Sequence, residues 1–271
     1  MSFPDLAFIL LGGIVTGFIG SMFGIGGGIF LIPFLVLVFH VPMHVAIATS
    51  IIAVIATSSA AASVFVERHQ ANIRLGMMLE ITTTIGAVLG GVTAIYLSGD
   101  VLRKIFSVLL VVMGSIMWYR SRAHGDARIE FIANKHLNGH FYDDASRKEI
   151  AYSIRRLPVA QVVSFLAGNI SGLLGVGGGI MKVPVMNLFC GVPMKAATAT
   201  SNFMIGVTAV ASAFIYFSRG HVDPLITSAA ALGVLGGSLI GTRVGKKIQS
   251  KTIIGLFALL LLAIAVRLFI Q

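Results

Sequence analysis

Apolar residues fall into runs of roughly twenty along this chain, parted by short polar turns, and the strict two-residue alternation of a half-buried strand is absent. Runs of that size suit helices that cross a hydrocarbon core of about 30 Å. The pattern predicts helices over approximately 5–20, 25–40, 45–66, 74–98 and 101–119, then 158–174, 176–190, 196–218, 225–247 and 252–270. Between the two sets, residues 120–157 carry eight basic and five acidic side chains. The chain thus reads as a first transmembrane repeat at 1–119, a hydrophilic linker loop at 120–157 and a second transmembrane repeat at 158–271. The fold class expected is an all-α, polytopic membrane protein, since lipid cannot satisfy the open backbone groups of irregular chain.

The two units are versions of one sequence. Residues 24–50 read GIGGGIFLIPFLVLVFHVPMHVAIATS and residues 175–201 read GVGGGIMKVPVMNLFCGVPMKAATATS, with about half the positions identical, no gap, and a constant offset of 151 residues. This register sets Gly24, Gly26, Gly27, Gly28, Pro33, Pro42, Thr49 and Ser50 against Gly175, Gly177, Gly178, Gly179, Pro184, Pro193, Thr200 and Ser201. A GxGGG cluster followed by a proline, present in both halves, resembles the repeated signature of the TauE/SafE family, the sulfite exporter or toluene-sulfonate uptake permease group of membrane carriers. The resemblance covers nearly the whole chain outside 120–157. It implies transport of an anion, usually a sulfur oxyanion such as sulfite or thiosulfate, or an organosulfonate; the alternative within transport is another small anion or a metal ion, and the lack of clustered carboxylates argues against the metal.

Composition narrows the classes further. With 56% hydrophobic and 11% charged residues and a mean hydropathy of +0.95, there is too little polar surface to cover a soluble globule. The expected location is the plasma (inner) membrane of a bacterium or archaeon, with the lipid bilayer as the surrounding partner. The formal charge of +10 does not indicate nucleic acid, because the basic residues gather at the ends of apolar runs, where they orient a chain in a membrane. Cys190 is the single cysteine, which excludes an internal disulfide and a multi-cysteine metal site. His40, His44, His69 and His221 stand in or beside turns with no i,i+4 partner on one helix face, so no metal site and no cofactor is expected. The first residues, MSFPDLAFILLGG, lack a basic stretch before the apolar run and read as a retained membrane segment. An intramembrane enzyme would need a nucleophile with a base, or paired acids or histidines at depth, and a scaffold has no use for helix-breaking glycines at matching places in both halves. Transport direction, coupling ion and any homo-oligomeric state stay open.

Charge also predicts topology. With 120–157 cytoplasmic, five crossings per unit place 67–74 and 243–251 inside and 100–104 and 219–224 outside. Arg68 and Arg74 then oppose Arg219 alone, and Arg243, Lys246, Lys247 and Lys251 outnumber Arg103 and Lys104. Lys195, inside, has His44 opposite it. Each inside turn is the more basic of its pair, the signature of an inverted repeat with both termini outside. Within the linker, a capped helix starting at Asp144 or Ser146 and lying on the headgroups is one reading, and an ordinary solvated segment is the other.

The candidate chemistry lies at the glycines. A run of three costs a helix about 1 kcal/mol each relative to Ala, so the helix is expected to break or re-enter at Gly26, Gly27 and Gly28 and at Gly177, Gly178 and Gly179. Free backbone N–H groups at such breaks, with the positive end of the next helix, make an anion site without any charged side chain. The alternative is that the glycines serve only close helix packing. Pro33 and Pro184 are expected to stop or kink the short helices that follow, and Pro42 and Pro193 to open the next ones. Thr49, Ser50, Thr200 and Ser201 place hydroxyls near a helix start, for an oxyanion or for capping. The second unit is the more polar, with Asn187 for Val36, Asn202 for Ile51 and Lys182 for Leu31. Lys182 could meet a sulfonate, or snorkel, or pair within the protein. Glu80, the one acid within an apolar run, is either a proton-coupling carboxylate or the partner of Arg74 in an interfacial ion pair.

Overall fold

The structure, a computed structural model, describes residues 3–23, 26–122, 138–143, 148–244 and 251–270. The first unit comprises α1 (Phe3–Phe23), α2 (Gly28–Phe39), α3 (Met43–Glu67), α4 (Ile73–Tyr96) and α5 (Gly99–Arg122). A hairpin of β1 (Asn138–Asp143) and β2 (Lys148–Ser153) follows. The second unit comprises α6 (Leu157–Leu174), α7 (Gly179–Leu188), α8 (Met194–Ser218), α9 (Pro224–Val244) and α10 (Lys251–Ile270). The offset of 151 survives in three dimensions: α3 and α8 have the same length and the same proline N-caps, Pro42 and Pro193, each at φ −54° and ψ 141°. Asn72 and Asp223, also 151 apart, cap α4 and α9 by accepting backbone N–H groups with their side chains.

Helices α1, α3, α4, α5, α6, α8 and α9 each contain a stretch long and apolar enough to cross a membrane. Their outward faces are apolar: Phe8, Leu11 and Val15 on α1, and Ile81, Ile85 and Val92 on α4, are all exposed. Such a surface suits hydrocarbon. The protein is a multi-pass integral membrane protein.

Two long seams hold the units together, each between a helix of one unit and a helix of the other. Helix α1 packs on α9 and α4 on α6. Gly233 lies against Leu10, Gly237 against Ile14, Gly168 against Thr83 and Gly172 against Ala87, so closely that an added Cβ would overlap a backbone carbonyl. Small residues let the backbones approach where lipid gives no hydrophobic drive for association. The paired numbers rise together, so both seams are parallel. Helix α3 runs parallel to α9, with Thr49 at Thr227 and Thr57 at Ser238. Helix α4 runs parallel to α8, with Gly76 at Thr200 and Glu80 at Thr208.

Two expectations are corrected. Of the two effects expected of Pro33 and Pro184, a stop or a kink, the stop does not occur: both lie inside α2 and α7, which continue beyond them. The polar linker contains strand, not the helix suggested after Asp144 or Ser146: those two residues lie outside the described ones, and Lys148–Ser153 pairs antiparallel with Asn138–Asp143. The cause is a local alternation confined to these two segments, in contrast to the apolar runs elsewhere in the chain. Gly139 and Phe141 share one face with their cross-strand partners Tyr152 and Ile150. That face docks on Leu75, Leu79, Val183 and Met186, and Tyr152 accepts a hydrogen bond from the Asn72 side chain at 2.9 Å. Burial pushes the Tyr152 phenol above its ordinary value, against a smaller lowering by Asn72.

Candidate functional site

Each glycine cluster is a turn that reverses the chain between a spanning helix and a short one. Gly26 and Gly27 have φ of 83° and 76°, and Gly177 and Gly178 have φ of 83° and 68°. A side chain is strained there, which is why glycine occupies these positions. Gly27 and Gly178 are the N-caps of α2 and α7, and their carbonyls accept from Phe30 and Leu31 and from Met181 and Lys182.

The two turns meet. Gly28 faces the Gly175 carbonyl, which a Cβ on Gly28 would approach to 2.5 Å, and the Ser50 hydroxyl donates to that carbonyl at 2.8 Å. Gly26 fits between Val54 of α3 and Ile205 of α8, residues that are themselves 151 apart. The N-terminus of α2 is thereby set against the start of the turn that leads into α7, in a buried region walled by α3 and α8.

Among the polar residues predicted for the site, several are taken up by the protein. Thr49 bonds Thr227 at 3.1 Å, the Thr200 hydroxyl accepts the Asn72 backbone N–H at 2.9 Å, and the Asn187 amide donates to the Val192 carbonyl at 2.9 Å, closing the connection from α7 to α8. Ser201 and Asn202 differ. Both are fully buried, yet the Ser201 Oγ and the Asn202 Oδ1 have no hydrogen-bond partner, while the Asn202 Nδ2 donates back to Thr198. A buried polar atom without a partner costs about 1–3 kcal/mol, and Ser201 and Asn202 lie one helical turn from Ile205, the residue that touches the first glycine turn.

Glu80 does not pair with Arg74 as an interfacial reading would have it. Its ion-pair partner among the described residues is Lys182, with Nζ 3.8 Å from Oε2. The Thr208 hydroxyl donates to Glu80 Oε1 at 2.5 Å, Thr84 reaches the same oxygen at 3.3 Å, and Lys182 Nζ donates to Thr208 at 3.3 Å. The pattern alone did not point to Thr208, although Ser201, Thr208 and Ser212 form a stripe at helical spacing along α8. At the other end of α8, the rings of His44 and His221 stack with centroids 4.9 Å apart. Burial, with the neighbouring His44 and Arg219, holds the His221 imidazole below its ordinary value.

The family model for "Sulfite exporter TauE/SafE" matches residues 9–268. The chain belongs to the TauE/SafE sulfite exporter family of membrane transporters. Among similar proteins is the "Probable membrane transporter protein YunE" of Bacillus subtilis, 27% identical over 278 aligned residues, spanning 100% of this chain and 98% of that one. A probable membrane transporter protein of Methanocaldococcus jannaschii is 23% identical over 91% of this chain and 88% of its own. The "Sulfite exporter TauE/SafE family protein 1" of Arabidopsis thaliana is 32% identical over 39% of this chain and 24% of its own. No solved structure matches the chain.

Proposed function

We propose that this TauE/SafE transporter carries small anions, foremost sulfite, thiosulfate or small organosulfonates, and binds them where its two glycine turns meet. The observation that carries this reading is the convergence of Gly26–Gly28 and Gly175–Gly179 beside Ser201 and Asn202, whose buried polar atoms are left unpartnered. Two helix N-termini aimed into one region present amides and positive dipole ends to an oxyanion. Ser201 adds a donor, and the first turn of α7 carries Lys182.

The same reading takes the two units as an inverted repeat with 120–157 cytoplasmic and both termini outside. Supporting it, corresponding helices run oppositely: α9, parallel to α1 and α3, is the counterpart of α4, which is parallel to α6 and α8. One unit rocking against the other about the paired turns would alternate access. Solute flux in proteoliposomes across sulfite, thiosulfate, methanesulfonate, taurine, acetate and phosphate tests the assignment. The expected result is saturable flux of at least one sulfur anion, and a flat panel refutes it.

A further inference from the structure

The Glu80–Lys182–Thr208 group joins three helices and both units: Glu80 lies on α4, Lys182 on α7 and Thr208 on α8. At the positions 151 residues away stand Ala231, Leu31 and Thr57, so the other half of the molecule fills the matching place without charge. Apolar packing would therefore have served, and a buried ion pair is seldom more stable than well-packed apolar residues. The pair is also loosely made. Glu80 Oε2 has no hydrogen bond, although Glu80 is 7% exposed and Lys182 1%, and the gap to Nζ is 3.8 Å. Lys182 donates its backbone N–H to Gly178, within the first turn of α7, and helical side chains lean toward the N-terminus. Its ammonium group can thus serve either Glu80 or an anion at the glycine turn.

We infer that Glu80 and Lys182 form a proton-coupled anion switch, in which an arriving anion takes Lys182 from Glu80 and the freed carboxylate binds one proton at Oε2. This rests on the transport reading above. Before binding, the pair is neutral as a unit. Afterwards Lys182 remains an ammonium with the anion as its counter-ion, and a proton from water has formed an O–H bond on Glu80, so a monoanion again leaves the group neutral. A carboxylate stripped of its partner in such a site takes up a proton rather than hold an uncompensated charge. A dianion leaves one negative charge over. The other titratable groups on the packed helices stand toward helix ends, Arg74 and Tyr96 on α4, Lys195 and Tyr216 on α8, and His44 and Glu67 on α3, while α6 has none; the hairpin adds His140 and Tyr152 beside the start of α4, and Arg155 and Cys190 meet after the hairpin and after α7.

The test reconstitutes the full chain in proteoliposomes containing a pH dye. Methanesulfonate, a permanent monoanion, should move with one proton and with no dependence on an imposed potential, whereas thiosulfate, a permanent dianion, should move charge. In Glu80→Gln a pH gradient should no longer drive accumulation, while exchange of labelled methanesulfonate persists. Because that variant strands a buried cation, Glu80→Gln with Lys182→Met serves as the charge-free control: it should keep the wild-type melting behaviour, move no protons, and bind methanesulfonate about tenfold more weakly for want of one charged contact. Methanesulfonate flux without protons in the wild type, or pH-driven accumulation in either variant, overturns the switch and leaves the transporter reading intact. If the folded wild type moves no anion of the wider panel, both fall.

Discussion

At the residue scale the site separates groups that build the protein from groups left free for a ligand. Ser50 and Ser201 occupy matching positions, yet Ser50 donates to Gly175 and Ser201 has no partner. Ser50→Ala should lower stability by about 1–3 kcal/mol, because it strands a buried carbonyl. Ser201→Ala removes a buried hydroxyl that has no partner, so it should leave stability unchanged or raise it by up to about 1–3 kcal/mol while weakening anion transport. Thermal melts in detergent beside proteoliposome flux check both, and equal behaviour of the two variants would remove Ser201 from the site. Gly27→Val and Gly178→Val should abolish transport with the protein still inserted, since a β-branched residue resists φ near +70° and covers the turn's amides. If both variants transport at the wild-type rate, the turns serve packing and the anion binds elsewhere.

At the element scale the β-hairpin changes what the linker is. Phe141, Tyr152 and Ile154 are buried against the start of α4 and the end of α7, so the hairpin covers part of the second unit. Phe141→Ala should cost about 3–5 kcal/mol locally, seen as faster hydrogen exchange in 138–143 and 148–153 with the helices unchanged. The stacked histidines give an opposite-face prediction. His221 is held below its ordinary 6.5, so the folded state binds fewer protons than the unfolded one through that window, and stability falls as pH drops below about 6.5. Melting temperatures between pH 8 and 5 should show this loss, and His221→Gln should flatten it.

At the scale of the whole molecule the units depend on each other, because each seam pairs a helix of one with a helix of the other. Gly168→Leu should therefore disrupt the entire fold, visible as loss of a monodisperse peak on gel filtration, since its side chain would meet the Thr83 backbone. Topology is tested by labelling in a Cys190→Ser background. Glu67→Cys, at the end of α3, should react only from the cytoplasmic side, and Ser98→Cys, after α4, only from outside. The reverse pattern would turn the molecule over.

The sequence by itself determined that the chain is a helical membrane protein, that it is a duplication with an offset of 151, and where its helices lie to within a few residues, because hydrophobic run length, glycine and proline act locally. It also pointed to the two glycine turns, whose positive φ only glycine adopts without strain. Which polar residues serve the fold and which stay free was decided by tertiary structure: Thr200 meets Asn72 across 128 residues, and Glu80 meets Thr208 across 128, distances along the chain that no local pattern encodes. The hairpin was hidden for a related reason. Its strands are six residues each in a charged segment, and the apolar surface that holds Tyr152 and Phe141 exists only once α4 and α7 have come together.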